Sequence, residues 1–118
     1  MRMITLAALA MTLTAGRSDP LAGHVAGAPV DCIDLSRING PDIVDAHTIL
    51  YRQSAKRIWV TGPVDECPSL RPRDTLVVEM YGSRLCRNDR FRTVTPGLSI
   101  PSGVCRFRQF VPYDRVSR

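Results

Sequence analysis

The sequence is poor in the side chains that most enzymes use. It has two histidines, His24 and His47, and four cysteines, none of which form a C-x-x-C pair. The nearest cysteines lie 19 positions apart, and neither histidine is close to one in sequence. A zinc site built from close ligand pairs is therefore not expected. There is no Gly-x-Ser-x-Gly, no phosphate-cradling glycine loop, no EF-hand spacing and no dinucleotide fingerprint, so no cofactor is expected. Neither Asn39 nor Asn88 is followed two positions on by Ser or Thr. After residue 30 no stretch keeps helical spacing for three turns. No apolar run approaches the roughly 20 residues of a spanning helix, so no membrane span is expected. Lysine occurs once among sixteen basic residues, the other fifteen being arginine.

What is present begins with an exported-protein signature. Met1-Arg2 is followed by an apolar run to Leu13 and then by Thr14-Ala15-Gly16. A short basic start, an apolar run of roughly 7–15 residues and a small-residue exit define a secretory signal peptide. Residues 1–16 are read as that signal, with cleavage after Ala15 or Gly16. The same run resembles a lipoprotein processing site, but Arg17 stands where the lipid-bearing cysteine belongs. Residues 17–30, rich in Gly, Ala and Pro, read as a flexible leader with His24 as a solvated tether residue. Residues 31–118 remain for a single domain.

Four cysteines in a short exported chain imply two disulfides. They are Cys32, Cys67, Cys86 and Cys105, with three possible pairings.

Short alternating stretches separated by turns dominate the domain. Ile33 and Leu35 alternate. Asn39-Gly40-Pro41-Asp42 reads as a turn. Residues 47–52 and 57–61, rich in β-formers and joined by a polar link, read as a hairpin. Residues 64–73 form a loop, with a helical turn expected at Pro68-Ser69-Leu70. In 75–80, Leu76, Val78 and Met80 share one face; with both faces fairly apolar, the strand is expected to be central. Gly82-Ser83 turns the chain back toward Leu85-Cys86, making 67–86 a hairpin closed by its two cysteines. Phe91, Thr93 and Thr95 alternate with Arg90, Arg92 and Val94. Residues 104–111 read as a last unbroken strand carrying Arg106 and Arg108 on one face. The fold class is all-β: a small disulfide-stapled sandwich or barrel of about five to seven short antiparallel strands. In this layout the bridges are expected to nest as 67–86 and 32–105. They close loops that remove roughly 3 and 4 kcal/mol of denatured-state freedom, respectively.

The words Cys32-Ile33 with Ile38, Val44-Asp45 before Thr48-Ile49-Leu50, Cys67-Pro68-Ser69-Leu70, Leu85-Cys86 before Asp89, and Cys105 near Phe110 give the chain a further likeness. Over residues 31 to 112 it resembles a family of small exported four-cysteine proteins of proteobacteria, a domain of unknown function. The resemblance implies a periplasmic or secreted location and structural cysteines, and it implies no activity.

Charge is the remaining functional signal. Residues 84–118 hold eight arginines against Asp89 and Asp114, a net +6, while residues 1–83 carry a net −1. Arg84, Arg87, Arg90, Arg92, Arg106 and Arg108 are the candidate anion-binding residues, provided that the last strands are neighbours. Nucleic acid matches the charge but not the compartment, so an anionic envelope polymer or an acidic protein is the expected partner. The function expected is a non-enzymatic exported binding or structural module. The alternatives are a small secreted hydrolase using Asp45 or Asp89 with His47, or an inhibitor of a secreted enzyme that presents loop 64–73. Ser36 and Ser54 are the hydroxyls a nucleophilic site would draw on. The other carboxylates available for acid–base work are Asp42, Asp65, Glu66 and Asp74.

Overall fold

A computed structural model of the chain describes residues 19–98 and 100–116, so the expected signal lies outside the described residues. The described residues form ten strands: β1 (His24–Ala26), β2 (Cys32–Asp34), β3 (Asn39–Asp45), β4 (Thr48–Arg52), β5 (Arg57–Thr61), β6 (Thr75–Val78), β7 (Arg84–Cys86), β8 (Arg90–Val94), β9 (Cys105–Arg106) and β10 (Val111–Arg115). A five-stranded sheet runs β1-β10-β5-β4-β3, a three-stranded sheet β6-β8-β9 and a two-stranded ribbon β2-β7. Every paired neighbour is antiparallel. The chain is thus a small, disulfide-stabilised antiparallel β protein of short strands. Its largest sheet ends on β1 and β3 without joining them, so it does not close into a barrel.

The β4–β5 hairpin forms as its sequence indicates and supplies the centre of the large sheet. Tyr51 lies opposite Trp59, and Leu50 opposite Val60. Successive side chains of a strand face opposite ways, and here both sides are buried. Ile49, Tyr51 and Trp59 join the main core, while Leu50, Ile58 and Val60 form a second cluster with Leu21 and Tyr113. The Trp59 indole Nε1 donates to Gln53 Oε1 at 2.8 Å, which satisfies the ring's only polar atom. The Tyr51 side chain is buried, its hydroxyl finds no partner among the described residues, and burial raises its pKa.

The strand expected to be central is instead an edge. Among the described residues β6 pairs only with β8, and Val77 on its outer side is 46% exposed. Nor does the 67–86 segment fold on itself, because β7 pairs with β2 rather than with β6. This pairing overturns the expected disulfide connectivity. The β2–β7 register sets Cys32 directly opposite Cys86, and these two are bonded. Cys105 lies opposite Phe91, on the inner side of the small sheet, and bonds Cys67 in the buried part of the loop. In both strands, Ile33 and Leu85 take the core side and the Cys32–Cys86 bridge takes the other. All four cysteines are therefore bridged, as 32–86 and 67–105.

Three other expectations are corrected. Residues 104–111 do not form one strand, because Phe107 and Phe110 are both fully buried. Side chains three apart on an unbroken strand face opposite ways, so the backbone kinks between β9 and β10 to bury both rings. Phe107 stacks against Phe91 at 4.4 Å between ring centroids and against Phe110 at 5.9 Å. The stretch read as a leader contributes β1, which pairs with β10 and places His24 opposite Arg115 in the sheet. The imidazole Nδ1 of His24 lies 3.1 Å from the Ala22 carbonyl, so this histidine is packed rather than a free tether. Asn39-Gly40-Pro41-Asp42 is not a turn but the irregular start of β3, where the register shifts between Asn39 and Asp42. Gly40 adopts φ +132° there, a conformation that side chains disfavour.

Candidate anion-binding face

β8 and β9 are neighbours, and this brings part of the arginine set together. Residues directly opposite each other on antiparallel strands point to the same face. Arg90 is opposite Arg106, both exposed, and Arg92, two residues along β8, shares their face. Across the other edge of β8, Arg92 is opposite Val77. Beyond β6 the ladder continues: the Glu79 amide donates to the Arg90 carbonyl at 2.9 Å. Glu79 thereby stands at the end of a row that reads Glu79, Arg90, Arg106 across the sheet. The inner face of the same strands carries Phe91 and Thr93, both buried. The Thr93 hydroxyl donates to the Ser69 carbonyl at 3.1 Å, so the one buried polar side chain of β8 is satisfied. Among the described residues, no carboxylate comes within ion-pair distance of Arg90, Arg92 or Arg106. An open cleft of about 710 Å³ borders the row, lined by Glu79, Met80, Tyr81, Asn88, Asp89 and Arg90.

The other three arginines of the expected patch are placed elsewhere. Arg84 lies on the ribbon opposite Asp34. Arg87 sits 3.5 Å from the Asp31 carboxylate. Arg108, past the kink at Phe107, donates from Nη2 to the His47 carbonyl at 3.3 Å, against the large sheet. The cationic face is thus Arg90, Arg92 and Arg106. The charge run could not reveal this subset, because the sorting depends on which strands pair.

The side chains drawn on for the hydrolase alternative hold the backbone in place. Asp45 Oδ1 accepts from the His47 amide at 2.8 Å, and Asp89 Oδ2 accepts from the Cys86 amide at 2.7 Å. Both are turn caps of the kind Asp often forms. Ser54 Oγ accepts from the Lys56 and Arg57 amides inside the β4–β5 turn. The Ser36 amide donates to Asp34 Oδ1 at 2.9 Å. That hydrogen bond is the main reason the Asp34 carboxyl sits below its usual pKa, helped by bonds from the Ser36 and Ser83 side chains. Asp42 pairs with Arg52 at 3.0 Å. In loop 64–73, Cys67 and Leu70 point into the core while Val64 is exposed. Among the described residues, no group of three or more His, Cys, Asp or Glu side chains is placed to hold a metal ion. Among them also, no helix is long and apolar enough to cross a membrane. Compared with known proteins, the chain matches no family model, no curated protein and no solved structure.

Proposed function

We propose that this chain is an exported, non-enzymatic binding or structural module of the bacterial envelope that contacts anionic partners through Arg90, Arg92 and Arg106. One observation carries the reading: Arg90 and Arg106 lie directly opposite each other on adjacent strands with no carboxylate paired to either among the described residues. Like charges in that position destabilise a sheet by a few tenths of a kcal/mol up to about 1. An anion bound across the pair removes that repulsion and gains charge-assisted hydrogen bonds from two guanidinium forks. The signal-like first sixteen residues, the two disulfides and the likeness to exported four-cysteine proteins support a periplasmic or secreted setting. The capping roles of Asp45 and Asp89 support the non-enzymatic side of the reading.

The test is salt elution from a long-chain polyphosphate resin. Arg90→Ser, Arg92→Ser and Arg106→Ser combined are expected to bring elution to markedly lower salt. An Arg84→Ser, Arg87→Ser control, on and just past the ribbon, is expected to elute close to the parent. Equal elution of the triple variant and the parent would reject the face.

A further inference from the structure

The cationic face is not purely polar. Val77, directly opposite Arg92, is 46% exposed, and Val104, two residues before Arg106, is 45% exposed. Tyr81, two residues past Glu79 and lining the cleft beside Arg90, is 99% exposed. An arginine row with a half-exposed valine directly opposite Arg92, a second beside Arg106 in sequence and an exposed phenol in the cleft by Arg90 is a poor match for a wholly polar polyanion. Such a polymer leaves Val77, Val104 and Tyr81 in water. The arrangement fits a surface that is anionic at its outermost layer and apolar just beneath. Arg side chains lay their methylene stems on apolar ground while the charged ends reach phosphate. Tyrosine, apolar in body and polar at the tip, favours the same boundary.

We infer that the anionic partner of this face is the surface of an anionic phospholipid bilayer, a reading that rests on the anion-binding proposal above and narrows it. Arg90, Arg92 and Arg106 meet headgroup phosphates, while Val77, Val104 and Tyr81 enter the interfacial layer. Glu79, at the β6 end of the Arg90 row, faces the same surface. It leaves the face with an excess of positive charge. Binding of this kind is reversible and shallow, because a few basic side chains and a few small apolar ones provide less than an anchoring chain does. It weakens with salt, since headgroup attraction fades within a Debye length.

Co-sedimentation with three probes tests it: phosphatidylcholine vesicles, vesicles of phosphatidylcholine mixed with phosphatidylglycerol, and soluble polyphosphate. The parent is expected to sediment with the phosphatidylglycerol vesicles and not with phosphatidylcholine alone. Arg90→Ser, Arg92→Ser and Arg106→Ser together are expected to lower vesicle affinity by roughly 100-fold and to abolish polyphosphate binding. Val77→Ser, Val104→Ser and Tyr81→Ser together, all at exposed positions, are expected to lower vesicle affinity roughly tenfold and leave polyphosphate binding unchanged. Circular dichroism checks that each variant is folded. A parent that binds polyphosphate but no vesicle overturns the membrane inference and leaves the anion-binding reading standing. So does full vesicle binding by the valine and tyrosine variant. A parent that binds neither probe overturns both.

Discussion

The five-stranded sheet contains no cysteine, whereas the ribbon, the small sheet and the loop before it contain all four. The difference follows from how each region buries its strands. In the large sheet, β4 and β5 bury side chains on both faces, and two charge pairs are matched across strands: Arg52 with Asp42, and Arg57 with Asp114 through two hydrogen bonds of 2.6 and 2.9 Å. Arg57 also lies over the Trp59 ring, 5.4 Å from its centre. The small sheet buries only one face and turns opposed arginines outward on the other. Strands of two to five residues with one wet face gain little from burial. Covalent bridges restrict the denatured chain instead and make up the difference. Among the described residues, the outward face of the small sheet carries no ion pair, and it lies on the region that cross-links hold in shape.

Loss of a disulfide is expected to have the largest effect, and the bridge that joins the small sheet to its loop tests it. Replacing Cys67 and Cys105 with Ala, across a sequence separation of 38, is expected to lower the unfolding free energy by about 4 kcal/mol. Urea unfolding measures it. The two regions share one core, since Phe91 and Phe107 pack in the same cluster as Ile49, Tyr51 and Trp59. The variant is therefore expected to unfold in a single transition at lower urea, with a steeper slope because the unbridged denatured chain exposes more surface. Two separated transitions would show that the large sheet stands without the small ones, and the contrast would then be one of independent units.

A glycine in each region gives a smaller and more local test. Gly62 follows β5, and a methyl group added there would overlap the His47 carbonyl and press on Arg108. Backbone cannot yield as a side chain tip can, so Gly62→Ala is expected to cost about 1–3 kcal/mol. Gly103 precedes β9 with open space around it, and Gly103→Ala is expected to stay within about 0.5 kcal/mol of the parent. Comparable losses at the two positions in thermal unfolding would mean that the large sheet is no more tightly packed than the small one.

Those two glycines also show where sequence alone stops. The approach of the His47 backbone to Gly62 comes from a fold-level contact that no local pattern encodes. The β4–β5 hairpin was legible because its strands are adjacent in sequence and joined by a short polar link. The alternation of Phe91 and Thr93 was legible because one face is buried and the other is not. Bridge partners were not, since β2 meets β7 across 54 positions and local pattern carries no information about that register. The β1 strand was also hidden. Its residues are largely exposed and held by backbone hydrogen bonds, so it leaves no apolar signature. One missed signal was available: Phe107 and Phe110, three apart, cannot share a face of a straight strand. Taking both as core residues would have broken the last strand and separated Arg108 from Arg106, shrinking the expected patch toward its observed membership.

The smallest effect expected is an acid response that differs between the regions in its cause. In the large sheet, hydrogen bonds from Arg57 hold the Asp114 carboxyl below its usual pKa. In the ribbon, the Ser36 amide does the same for Asp34, with the Ser36 and Ser83 side chains assisting. A carboxyl whose folded pKa is depressed contributes stability above its ordinary value, near 4, and loses it as pH falls through the folded value. Both groups therefore favour the folded state at neutral pH and withdraw that support in acid. The partners differ, one a solvent-exposed cation and the other mainly a backbone N–H fixed by the chain. Added salt screens exposed charges within a few ångströms and leaves a local hydrogen bond largely intact. NMR titration of the two carboxyl groups is accordingly expected to show the Asp114 midpoint rising toward the ordinary value in about 1 M salt, where the Debye length is roughly 3 Å, with the Asp34 midpoint moving much less. Equal movement of both would mean that the ion pair of the large sheet is held by hydrogen-bond geometry rather than by charge.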